Sequence, residues 1–157
     1  MSSGNTFGFK TQLEVGQAGE AEFLERYPTK LTIHPERDGD FICEVSGAKL
    51  ELKTDTYDMR RTPNFFIERW SVLHQEKPGS LWQAHEHGCS IFCYYFVKNS
   101  TYFRIADIPA AIARVETYIE EQKPGMVYVK NRGYITGGYK IPRALLEDLT
   151  EEFTWED

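Results

Sequence analysis

Residues 40–53 read Asp40-Phe41-Ile42-Cys43-Glu44-Val45-Ser46-Gly47-Ala48-Lys49-Leu50-Glu51-Leu52-Lys53, and this stretch decides the fold. An apolar run from Phe41 to Val45 is followed by a Ser46-Gly47 turn signal and then by a strictly alternating run, the pattern of a β-hairpin. Successive side chains on a strand point to opposite faces. Leu50 and Leu52 therefore enter a core while Glu51 and Lys53 share the other face. Asp40 opens the partner strand, so the hairpin can bring together two carboxylates and an ammonium that lie more than ten residues apart.

Those residue types serve one chemistry when they meet. Mg²⁺ takes oxygen ligands and keeps several waters, so one or two carboxylates are enough to hold it. A bound metal lowers the pKa of its water and neutralises charge on a phosphate, and a nearby lysine adds a fixed positive charge. Asp40 and Glu51 as ligands with Lys53 beside them would suit phosphodiester hydrolysis. The plainer alternative is that Glu51 and Lys53 form a solvated polar strand face.

Upstream, residues 16–27 read as a short helix stopped by Pro28. Its apolar side runs through Ala21, Leu24 and Tyr27, with Phe23 on the flank and Glu20 at the margin. Glu22, Glu25 and Arg26 belong to the solvent face. Glu20 is either a further site acid or a first-turn acid favoured by the helix dipole.

Taken together, Glu20 in a leading helix, Asp40, and Glu51-x-Lys53 resemble the PD-(D/E)xK nuclease superfamily, over roughly residues 12–105. Gly39 stands where the signature normally has proline, and Asp38 competes with Asp40 for the metal. The resemblance implies a restriction endonuclease-like α/β core, a mixed central β-sheet flanked by helices. It implies Mg²⁺ as cofactor, with Mn²⁺ as a substitute, held by Asp40, Glu51, the Leu52 carbonyl and Glu20, while Lys53 stabilises charge or positions water. A narrower likeness, to small phage-encoded members, rests on Asn64-Phe65-Phe66-Ile67-Glu68, Lys77-Pro78-Gly79-Ser80 and the run Cys89 to Val97. It implies phage or prophage DNA handling.

Glu68 is a candidate accessory ligand if residues 64–70 pair with 49–54; otherwise it is an ion-pair partner for Arg60, Arg61 or Arg69. Gln83 and His87 are accessory candidates for a phosphate or a catalytic water. The spacing of His85, His87 and Cys89 matches no zinc pattern. Arg60 and Arg61 are candidate DNA contacts, and Trp70 and Trp82 are either base-stacking groups or core.

The chain has 157 residues, 41% apolar and 14% aromatic, which suits a single domain with a real core. No charged-then-apolar leader and no apolar run of membrane-spanning length is present, so the reading is a cytoplasmic protein with no membrane partner, in the host cytoplasm if phage-encoded. Its three cysteines, Cys43, Cys89 and Cys93, are odd in number, and Cys43 and Cys93 sit in strand-like apolar runs that suit free buried thiols. The net charge of −6 opposes non-specific DNA binding. Residues 147–157, however, hold six acids and no base, leaving 18 acids against 18 bases before them. That acidic tail reads as solubilising or DNA-mimicking. Basic residues gather at Arg60-Arg61, at Lys98, and at Lys123, Lys130, Arg132, Lys140 and Arg143.

Further along, residues 90–97 read as a central strand and 102–105 as its partner. A helix capped by Asp107, with Pro109 in its first turn, carries the stripe Ile108, Ala111, Ile112, Val115 and Ile119. Strands near 127–129 and 134–141 and a short helix from Pro142 complete the chain. Residues 54–61 and 71–88 read as substrate-contacting loops. The sequence thus predicts a metal-dependent DNA endonuclease. The rivals are a Holliday junction resolvase-type nuclease, which would be a homodimer, and a catalytically silent nuclease fold acting as a DNA- or protein-binding module.

Overall fold

The computed structural model describes residues 21–23, 25–26, 31–33, 41–43 and 49–155. In chain order these form a helical stretch α1 (21–23 and 25–26), β1 (Leu31–Ile33), β2 (Phe41–Cys43), β3 (Lys49–Asp55), β4 (Asn64–Val72), β5 (Lys77–Pro78), α2 (Ser80–Glu86), β6 (Ile91–Phe96), β7 (Thr101–Ile105), α3 (Ile108–Gln122), β8 (Val127–Asn131), β9 (Tyr134–Pro142) and β10 (Thr150–Thr154). One sheet has the order β1-β2-β3-β6-β7-β10, and a second the order β5-β4-β9-β8. The first is mixed: β3 and β6 run parallel, and its other neighbours are antiparallel. The second is antiparallel throughout.

The hairpin expectation is met where it is described, with Phe41 opposite Leu50 and Ile42 opposite Lys49. Its turn lies outside the described residues. Strand β6 is central because both of its faces are apolar. On one face Phe92, Tyr94 and Phe96 join Phe65, Ile67, Leu81, Ala84, Ile108, Ala111, Val115 and Ile141 in the larger core. On the other, Cys93 and Tyr95 join Leu50, Leu52, Tyr102 and Phe23. Alternation along β3 and β6 thus separates two cores on opposite faces of one sheet. Helix α3 begins as its sequence dictates, with the Asp107 carboxylate accepting from the Ala110 N–H at 3.1 Å and its stripe packed into the larger core.

Four expectations need correction. In α1 the residue that enters the core is Phe23, whereas Ala21 is exposed and the Glu22 carboxylate accepts from the Tyr95 hydroxyl, so Glu22 is not a solvent-face charge. Residues 54–61 are not a long loop: β3 runs on through Asp55, and Asp58 caps a 3-10 turn at Met59–Arg61. Residues 71–88 contain the end of β4, β5 and helix α2; with only Leu81 and Ala84 buried in its seven residues, α2 is too short to show a repeating period. The acidic stretch read as a tail takes regular structure as far as Thr154. Arg143–Leu149 is a 3-10 turn, and Thr150–Thr154 is an edge strand on β7. Its apolar Phe153, and Trp155 beyond it, pack on the smaller core, while Glu151, beside Arg104 at 3.7 Å, and Glu152 stay exposed at the sheet edge. Cys89 and Cys93 are buried thiols. No helix among the described residues is long and apolar enough to cross a membrane.

Candidate functional site

The alternation of β3 builds the site. Leu50 and Leu52 are buried on one face; Lys49, Glu51, Lys53 and Asp55 alternate with them and are half-buried on the other. Register with β6 puts Glu51 opposite Phe92, Lys53 opposite Tyr94 and Asp55 opposite Phe96. The charged row therefore lies beside the aromatic face that forms the larger core, at the margin where α2 and β4 cover the sheet.

Strand β4 brings Glu68 to this row. Lys53 Nζ donates to Glu68 Oε2 at 2.7 Å, with the two side chains 18% and 17% exposed. The pairing expected to produce this meeting does not exist: β4 bonds to β9 and β5, whereas β3 bonds to β2 and β6. Glu68 instead reaches Lys53 from the second sheet. Its backbone is held closely, since a Cβ at Gly79 would run into the Glu68 carbonyl oxygen. Nor is Glu68 the partner of Arg60, which pairs with Asp58, or of Arg69, whose guanidinium lies over Trp70 and Trp82, 4.0 and 4.6 Å from their ring centres.

Tyr94 and Asp55 are the residues sequence reasoning missed. The Tyr94 hydroxyl donates to the Asp55 carboxylate and accepts the Phe66 N–H at 2.9 Å. Burial, then the Asp55 charge, push the phenol well above its ordinary value. One side chain thus ties β6 to the end of β3 and to the backbone of β4, two residues from Glu68. The signal for Asp55 was available: it shares the face of Glu51 and Lys53 by the same alternation.

Glu20 and Asp40 lie outside the described residues. The Leu52 side chain is buried in the smaller core, and Leu52 stands opposite Cys93 in the β3–β6 ladder. Gln83 donates to the Pro78 carbonyl at 2.6 Å and the Ser71 hydroxyl at 3.5 Å, holding α2 on the β4–β5 corner. His87 caps α2, and its carbonyl accepts from Lys49 Nζ at 3.0 Å; its Nδ1 is buried without a hydrogen-bond partner. Arg60 bonds Asp58 through Nε and Nη2, both at 3.1 Å. That contact, with Asn99, holds the Asp58 carboxyl well below the usual range. Arg60 and Arg61 are both exposed at the turn that follows β3. Arg143 is structural: it donates to the carbonyls of Thr62 at 2.6 Å and Met59 at 3.2 Å, pinning that turn.

Glu51, Asp55 and Glu68 stand with Lys49 and Lys53 along this margin, three acids against two bases, with Lys53 and Glu68 in direct contact. Among the described residues, no three His, Cys, Asp or Glu side chains converge on a point a metal ion could occupy. Comparison with protein-family models, with curated proteins and with solved structures finds no match to this chain.

Proposed function

We propose that this chain is a metal-dependent DNA endonuclease, with a restriction endonuclease-like core, acting in phage DNA processing or recombination. One observation carries the reading: Glu51 and Lys53 share a half-buried face of β3 where the second sheet delivers Glu68 at 2.7 Å from the lysine. The sheet order supports it. The acid-x-lysine strand lies between an antiparallel neighbour whose first residue follows Asp40 and a parallel one buried from Phe92 to Phe96.

The donors fit a hard cation. Glu51 offers carboxylate oxygen, and Asp40, Glu20 and the Leu52 carbonyl would add only oxygen, which suits Mg²⁺ or Mn²⁺ rather than zinc. When bound, such an ion lowers the pKa of its water and neutralises phosphate charge. The chain's own residues do the rest. Lys53 is oriented by its bond to Glu68, which fixes the ammonium before substrate arrives. A phosphate oxygen can share that ammonium, since the three N–H groups of a lysine are not exhausted by one carboxylate. Glu68 can then take or return a proton at its free oxygen. Arg61, exposed beyond the end of β3, would meet the strand's phosphates.

A second reading rests on the same ion pair. If Glu68 holds Lys53 too tightly to release it, the fold is a silent DNA- or protein-binding module. Incubation of wild type and Lys53→Ala with supercoiled, linear, single-stranded and four-way-junction DNA, with Mg²⁺, Mn²⁺ or chelator, separates the two. Metal-dependent cleavage that disappears in a folded Lys53→Ala protein is expected. Full activity in that variant sinks the assignment of roles, and no cleavage of any substrate moves the protein to the binding module. Preference for the junction, with a dimer on gel filtration, would identify a resolvase.

A further inference from the structure

We infer that the β8–β9 hairpin is a binding arm for a single nucleic-acid strand, independent of cleavage. From Lys123 to Leu146 the chain has Lys123, Lys130, Arg132, Lys140 and Arg143 and not one acid, in a protein of net charge −6. Arg143 is consumed by backbone carbonyls; Lys123, Lys130, Arg132 and Lys140 are exposed. Such a concentration is complementary to a polyanion.

Aromatic and aliphatic groups stand among these charges where a folded protein would ordinarily hide them. Tyr128 is 60% exposed, and Tyr134 and Ile135 are each 38% exposed. Register places Tyr128 opposite Gly137 and Lys130 opposite Ile135. Tyr128, Lys130 and Ile135 therefore share one face, and Tyr134, the register partner of Asn131, stands on the other, so rings flank the arm on both sides. Beside them an open concavity of about 420 Å³ is lined by His74, Lys130, Asn131, Tyr134 and Ile135 among others, within the usual size of a small-ligand site.

Exposed rings interleaved with lysines are the two parts of a strand-binding surface: rings take base faces and cations follow the phosphates. A duplex keeps its base faces stacked and offers such rings nothing. The occupant is therefore a single strand. The face of β9 that carries Tyr134 and Lys140 leads to the candidate site, because Gly138 between them is the register partner of Glu68. A strand lying along the second sheet would run from the hairpin toward Lys53.

The test measures binding alone, in chelator, so that its outcome does not depend on the nuclease reading. Fluorescence anisotropy with labelled oligo(dT) and a duplex of equal length, on the full chain, should show the single strand bound more tightly. Tyr128→Ala and Tyr134→Ala should each weaken it about fivefold or more. Lys130→Gln and Arg132→Gln should each reduce the slope of log affinity against log salt by about 0.7. Unchanged melting temperatures would establish that the variants are folded. Equal affinity for duplex, tyrosine variants that bind as wild type does, or displacement by polyglutamate as effective as by unlabelled oligo(dT) would each overturn the proposal.

Discussion

Tyr94 shows what a single hydroxyl does in this protein and why sequence does not reveal it. In the run Ile91–Phe96 its ring reads as core, and it is core, 1% exposed. Its oxygen has partners 28 and 39 residues away on two other strands, Phe66 and Asp55, and no local pattern encodes such a meeting. Tyr94→Phe keeps the packing but leaves the Phe66 N–H and the Asp55 carboxylate without that partner. It should cost about 1–3 kcal/mol in chemical denaturation at neutral pH. The pH dependence has a definite sign. Because the folded phenol is raised above the ordinary value of 10.0, this tyrosine's contribution is complete below pH 10 and declines as pH rises further, when only the unfolded chain releases the proton. The gap between wild type and Tyr94→Phe should therefore narrow above pH 10. A constant gap across that range would mean that the phenol is not held protonated by the fold. By contrast, the facing of Glu51 and Lys53 was fully legible, since period-2 alternation needs only the strand itself.

Among elements, long apolar patterns were readable and short or charged ones were not. The central strand, the Asp107-capped helix and the β2–β3 hairpin each carry enough residues for period and punctuation to agree. Helix α2 offers two buried residues and β5 spans only Lys77–Pro78, so neither rises above loop composition. Strand β10 was obscured by its acids. Glu151 and Glu152 look like tail chemistry, yet the alternating apolar residues Phe153 and Trp155 anchor it, with ring centres 5.0 and 4.9 Å from that of Tyr102. Trp155 also meets Phe23 at 5.7 Å, so β10 helps bind α1 to the sheet. Truncation after Leu149 removes both aromatic anchors and the ladder to β7. It should lower stability by about 3–5 kcal/mol and expose the β7 edge to association. Denaturant unfolding and gel filtration of the truncated chain measure the two effects. A detached acidic tail would leave both unchanged.

At the scale of the whole molecule, the placement of charge matters more than its sum. Acids concentrate toward the β10 edge, and the β3 face balances Glu51 and Asp55 against Lys49 and Lys53, whereas the β8–β9 hairpin holds bases alone. A polyanion approaching this protein is repelled by the β10 edge and drawn by the hairpin, and under the proposed nuclease function the acids beside Lys53 require a cation to accept a phosphodiester. That requirement couples metal binding to folding, because an ion that prefers the assembled site stabilises the folded chain by mass action. At tenfold excess over its dissociation constant the gain is about 1.4 kcal/mol, which for a chain of this size is a rise of roughly 3–6 °C in melting temperature. Mg²⁺ should produce that rise in wild type and not in Glu51→Gln, with chelator restoring the lower value. An equal rise in both proteins would place the ion on scattered surface acids. No rise in either would remove the cation from the site, and with it the means by which a cluster richer in acid than base could accept a phosphodiester.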